Sequence, residues 1–215
     1  NFKLSNCELE GWNYGCYSTL GTPRILNNEF AGNFKSVYSA SGVSVEITGN
    51  DFNGEYDFAS GTATPYSVHV LGNGVNNTLY KFEENTIQNG VVGVQFNNLG
   101  PNAVKVKDNV FFNISGYTQS CAAVAIGKNS NFNAGLLGDQ GLEFRCNNFD
   151  DNPYALSVID GNMRKYQGEF GASSGSDYAG NAFDHYGTNL ERDFYVKIPI
   201  NSYWEIPLYQ YYSHS

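Results

Sequence analysis

Lysine and arginine are scarce in this chain: 12 of them stand against 21 aspartates and glutamates, a net charge of −9 over 215 residues. A nucleic-acid binder gathers cations to neutralise phosphates, so no nucleic-acid partner is expected. Nowhere do apolar residues run for the roughly 18 positions that a membrane-spanning helix needs, and no basic-then-apolar leader opens the chain. No membrane insertion is expected either. The four cysteines, Cys7, Cys16, Cys121 and Cys146, contain no C-x-x-C pair, and the histidines His69, His185 and His214 are scattered. That leaves no zinc-ligand spacing. In an oxidising compartment Cys7 can bridge Cys16 and Cys121 can bridge Cys146; the alternative is small buried thiols in stacked positions.

Asparagine is abundant instead, with 28 in the chain, and it recurs inside one phrase. The phrase reads FKLSNCEL (2–9), PRILNNEF (23–30), VEITGNDF (45–52), YKFEENTI (80–87), VKVKDNVF (104–111), LEFRCNNF (142–149) and SDYAGNAF (176–183). Its sixth position holds Cys7, then Asn28, Asn50, Asn85, Asn109, Asn147 and Asn181, at steps of 21, 22, 35, 24, 38 and 34 residues. A period near 22 residues, lengthened at intervals by insertions, marks a solenoid in which each copy is one coil.

Three positions before the Asn stand Leu4, Ile25, Ile47, Phe82, Val106, Phe144 and Tyr178; two after it stand Leu9, Phe30, Phe52, Ile87, Phe111, Phe149 and Phe183. Polar residues flank the first column, as Glu46 and Thr48 flank Ile47, which is the period of two of a half-buried strand. An amide at a sharp bend can bond the local backbone and its counterparts in the coils above and below, which predicts an Asn ladder. Leucine-rich repeats share this phrase. A second β-like run after the bend excludes them: 34–40, 66–72, 91–96, 122–127 and 154–160. The expected fold is therefore all-β, a right-handed parallel β-helix of about seven coils stacked some 4.8 Å apart.

The repeat ends near residue 185. Residues 1–185 are expected to form the β-helix, and residues 186–215 an aromatic cap or a linker to a following domain. Trp204, Tyr203, Tyr209 and Tyr211 in that tail are the candidate glycan-stacking residues. The chain starts in mid-strand, so it is read as part of a longer protein continuing on both sides. Insertions at 53–65, 128–140 and 161–175 are natural carriers of function.

The outward column before the core position reads Lys3, Arg24, Glu46, Lys81, Lys105, Glu143 and Asp177. Its mixed signs predict a solvated wall in which Arg24, Glu46 and Lys81 pair in sequence, as do Lys105 and Glu143. For a glycoside hydrolase or lyase of this shape, the best cluster is Asp150, Asp151, Arg145 and Lys165, with Asp160 and Arg164 nearby. No Gly-His-Gly, no Arg-Ile-Lys and no convergent Asp trio accompany it, so the chain reads as more a binding or structural segment than an enzyme. No cofactor is called for, with calcium the one metal left open.

The stretch GLEFRCNNFDDNPYALSV (141–158), the Gln167-Gly168 pair and AGNAFDHYG (179–187) resemble a pattern in large secreted proteins of the Bacteroidota. There a Gly-Leu-x-x-x-Cys-Asn-x-Phe-x-x-Asn phrase precedes Gln-Gly and Ala-Gly-Asn-x-Phe-Ser; here Asp184 replaces the Ser. The resemblance implies export by the type IX secretion system and an extracellular or outer-surface location, with no catalytic residues. The resulting expectation is a non-enzymatic adhesin module or rigid stalk that meets a surface glycan or protein ligand. The alternatives are a pectin-lyase-like enzyme and a subunit that stacks end to end through its open strand edges.

Overall fold

The computed structural model describes residues 2–40, 44–54, 66–73, 79–100, 104–114, 122–127, 141–159, 163–164, 166–167, 179–184, 192–197 and 209–210. Among the described residues, each of the first six coils supplies three short strands, one to each of three long sheets, and the seventh supplies one to the second sheet and one to the third. The first sheet stacks Lys3–Ser5, Arg24–Leu26, Val45–Thr48, Leu79–Glu83, Val104–Lys107 and Leu142–Arg145. The second stacks Glu8–Glu10, Glu29–Ala31, Asp51–Asn53, Thr86–Gln88, Val110–Phe112, Asn148–Asp150 and Ala182–Asp184. The third stacks Tyr14–Ser18, Lys35–Ser39, Tyr66–Leu71, Val92–Asn97, Val124–Gly127, Tyr154–Ile159 and Arg192–Lys197. Neighbouring strands in all three come from successive coils and run parallel, which makes the molecule a right-handed parallel β-helix.

The apolar columns stack in register. Leu4, Ile25, Ile47, Phe82, Val106 and Phe144 face one another along the first sheet, and Leu9 to Phe183 do so along the second. Ile25, Ile47, Phe82, Phe52, Ile87 and Phe111 are fully buried, and rings stack between coils, as in Phe111 on Phe149 at 4.9 Å. Each fully buried side chain of this size contributes about 1.5–3 kcal/mol.

Left-handed residues shape the coils, one at the first corner of every copy and a second in five of them. The residue before the ladder Asn has positive φ in all seven copies: Asn6, Asn27, Gly49, Glu84, Asp108, Cys146 and Gly180, between 51° and 69°. Gly11, Gly32, Asn89, Asn113 and Asp151 turn the second corner in the same way. At Gly49 a Cβ would also meet the end of the Asn27 side chain of the coil below, which would have to turn away to admit a larger residue.

Between these corners the ladder forms as expected and in one repeated pattern. Each Asn Oδ1 accepts from the backbone N and from Nδ2 of the Asn one coil earlier, at 2.9–3.1 Å, from Asn28–Asn50 through Asn147–Asn181. Each Nδ2 also donates to the core-column carbonyl of the coil before: Asn50 to Ile25, Asn85 to Ile47, Asn147 to Val106. Cys7, which lacks the amide, still donates its backbone N to Asn28 Oδ1 at 3.1 Å.

One open alternative is decided and one expectation is corrected. Cys7 and Cys16 are not bridged: Cys7 is exposed with its thiol on the Ser5 carbonyl, while Cys16 is buried in the third sheet's inner column. Cys146 is likewise a free thiol, and Cys121 lies outside the described residues. The outward column of the first sheet is also not a simple chain of pairs. Arg24 does meet Glu46, at 2.6 Å, but Lys81 turns to Glu83 of its own strand, at 2.9 Å. Glu143, expected in solvent, is 1% exposed and holds Arg145 at 2.5 Å and Arg164 at 2.6 Å.

Arg164 and Gln167, both from the third insertion, lie against the strand that carries Glu143. Gln167 Oε1 accepts from Phe144 N at 2.6 Å, and its Nε2 donates to the Leu142 carbonyl at 3.2 Å. Leu142–Arg145 is the last described strand of the first sheet, so one side-chain amide pairs with a strand edge. Stacking in the third sheet continues beyond residue 185, through Arg192–Lys197. The two other insertions lie almost wholly outside the described residues.

Candidate functional site

The three outer walls differ in chemistry because each presents its own outward columns. Along the second sheet Glu8, Glu29 and Asp51 stand in register and exposed, an acidic stripe whose members repel one another. The third sheet is aromatic. Its outward columns run Tyr14, Lys35, Tyr66 and Tyr17, Tyr38, His69, Gln95 over the first four coils. Inward parity is kept by Cys16, Val37, Val68 and Val94, so Tyr17, Tyr38, His69 and Gln95, each one residue further on, point away from the core by the same alternation that buries the valines, whereas Tyr14, Lys35 and Tyr66 stand at the strand starts.

These rings form one connected cluster. Tyr17 and Tyr38 stack at 5.2 Å with planes 5° apart, and Tyr14 sits edge-on to both, at 5.1 and 5.9 Å. Tyr38 also meets His69 edge-on at 5.1 Å, and Tyr66 tilts against His69 at 5.3 Å. The Lys35 ammonium lies 5.0 Å from the Tyr38 ring centre, 5.4 Å from Tyr66, 5.7 Å from Tyr14 and 6.0 Å from Phe34, a cation held among four rings. Tyr14 and Tyr17 remain 42% and 55% exposed, and Trp12 at the preceding corner is 63% exposed.

Charge in the cluster follows from burial. Burial lowers the Lys35 ammonium from its ordinary value and raises the Tyr38 phenol, with Tyr17 and Tyr14 adding to the latter. The His69 imidazole is pushed down to about 4, first by burial and then by Lys35. It is neutral at pH 7, with Nε2 3.1 Å from the Asn97 amide nitrogen and Nδ1 buried. As Asn97 Nδ2 is a donor, Nε2 accepts and Nδ1 carries the proton. One ring nitrogen is engaged by the Asn97 amide and the other is buried, so the wall presents the imidazole's neighbours rather than its nitrogens. What the wall offers outward is ring surface, phenol hydroxyls and one ammonium, the equipment of a sugar-binding face.

The sequence-derived site residues fall elsewhere. Arg145 is buried against Glu143, on the first sheet. Asp150 ends a second-sheet strand with Oδ1 buried and unpartnered, and Asp151 takes the left-handed corner at φ 52°. These three therefore occupy two walls and the corner beyond. Lys165, Tyr203, Trp204 and Tyr211 lie outside the described residues, while Tyr209 belongs to a two-residue strand beside Tyr166–Gln167. Among the described residues no three His, Cys, Asp or Glu side chains converge to hold a metal, so nothing locates a calcium ion. None of the aromatic wall was singled out in the sequence, although FKSVYSA and YSVHVLG, aligned by their valines, put Tyr38 beside His69.

No protein-family model matches this chain, and no curated protein or solved structure matches it either.

Proposed function

We propose that this chain is a non-enzymatic β-helix segment of an extracellular or cell-surface protein, an adhesin module or stalk that holds a glycan on the aromatic wall of its third sheet. The observation that carries the reading is the Tyr14–Tyr17–Tyr38 cluster, exposed at Tyr14 and Tyr17 and half-buried at Tyr38, with Lys35 seated among its rings. Among the described residues the first six coils bond to one another through three sheets, and an amide ladder runs on into the seventh, which suits a rod that keeps its ligand face at a fixed distance and orientation. The extracellular setting rests on the resemblance of residues 141–187 to type IX secretion substrates of the Bacteroidota.

A glycan array probed with the purified chain and with a Tyr17→Ala/Tyr38→Ala variant tests this, run beside reducing-sugar and unsaturation assays on the same polysaccharides. Binding without product, lost in the variant, is the expected result. Product formation would overturn it in favour of a lyase or hydrolase, and retention of binding by the variant would remove the third wall from the account.

A further inference from the structure

The first sheet carries a second, different surface. Six of the 12 lysines and arginines sit on its strands: Lys3, Arg24, Lys81, Lys105, Lys107 and Arg145. Over this wall lies a cavity of about 750 Å³ bordered by Phe2, Pro23, Arg24, Glu46 and Tyr80. A smaller one of about 360 Å³ continues it past Lys81, Lys105 and Glu143 to Arg164. Tyr80 and Lys81 border both, so the two form one trough along the rod axis. Tyr80 reaches it through a bulge: Leu79 pairs with Val45 and Lys81 with Glu46, and the extra residue between them is left 71% exposed. Bulges re-aim side chains in this way.

The charges within the trough define what fits it. Its acids are engaged, Glu46 by Arg24, Glu83 by Lys81, Glu143 by Arg145 and Arg164. Lys3 and Lys105 make no ion pair among the described residues, and they stand four coils apart, about 19 Å at sheet spacing. A densely charged polyanion would meet Glu46 and Glu83 as well as the cations. A chain with hydroxyls along its length and carboxylates at intervals would donate to Glu46 and Glu83 and present its anions to Lys3 and Lys105. Phe2 and Tyr80, 44% and 71% exposed, supply flat apolar faces for the rings of such a chain.

We propose that the trough on the first sheet binds a linear acidic glycan whose uronate residues alternate with neutral sugars, with Tyr80 as its central stacking residue. This site is separate from the aromatic wall of the third sheet. The test is titration of the intact chain with a hyaluronan oligosaccharide, beside an oligogalacturonate, a neutral cello-oligosaccharide and poly-glutamate. The hyaluronan oligosaccharide binds best, and added salt weakens it. Tyr80→Ala lowers the affinity on the order of tenfold, and Lys3→Gln/Lys105→Gln does the same while flattening the salt dependence. All three residues are exposed, so the variants keep the fold. Tyr17→Ala/Tyr38→Ala leaves this binding unchanged, which separates it from the third-wall reading. Absence of binding, equal binding of the neutral chain, tighter binding of poly-glutamate, or affinity unaltered by both first-sheet variants would overturn it.

Discussion

Asn85 makes four hydrogen bonds with one buried amide. Its oxygen accepts from Asn50 N and Nδ2, and its nitrogen donates to the Ile47 carbonyl and to Asn109 Oδ1, all at 3.0–3.1 Å. Truncation leaves buried partners on both sides without mates, so Asn85→Ala is expected to cost about 3 kcal/mol. Urea unfolding measures this; a loss below about 0.5 kcal/mol would contradict the ladder's role. His69 supplies a pH effect. Its folded value near 4 lies below the ordinary 6.5, so the unfolded chain binds the extra proton between those limits. The contribution of this group to stability is therefore full above pH 6.5 and declines as pH falls towards 4. The His69→Gln variant should show a flatter midpoint-against-pH curve over that window, and an unchanged curve would refute the assignment. The Asn column was legible because it recurs at one place in every copy. The His69 environment was not, because Tyr38 and Lys35 reach it from another coil.

A strand at the end of a stack has unpaired backbone, and the first sheet shows how this chain handles it. Gln167 places its amide on Phe144 N and the Leu142 carbonyl and closes a third bond to the Arg164 carbonyl. A Gln-Gly pair was visible in the sequence, but its task depends on an insertion folding back across the wall. Gln167→Ala is expected to remove about 2 kcal/mol and to expose that edge. Hydrogen exchange reads it directly: the Phe144 amide should lose protection while Val106, one coil inside, keeps it. Equal exchange in the wild type and the variant would mean the edge is closed by other means. The same fold-back sets Arg164 against Glu143, which is outward by strand parity and yet buried.

A solenoid distributes stability along one dimension, since each coil contacts only its neighbours. Position then decides the cost of a core truncation. Ile87 is fully buried between Phe52 and Phe111, while Leu9 has a described neighbour only in Phe30 and is half-buried. Ile87→Ala should cost about 3–4 kcal/mol and Leu9→Ala about half of that or less, by chemical denaturation. Equal costs would argue against nearest-neighbour stacking. Charge is also arranged at this scale, with acids stacked on the second wall and cations gathered on the first, an asymmetry that the net charge of −9 conceals.

The sequence by itself determined the coil: its period, its two apolar columns, the Asn at its corner and the strands beyond. Each of these rests on interactions repeated in every copy, so one chain displays the same signal many times. The tertiary structure alone decided what lies on the walls. Tyr17, Tyr38 and His69 are 21 and 31 residues apart, and they meet only because the intervening loops return the chain to the same register. Tyr80 enters the trough through one extra residue in a strand, and Glu143 is held by Arg164, some twenty residues later. Core packing repeats with the coil, whereas outward contacts depend on loop length and local register, which differ from coil to coil.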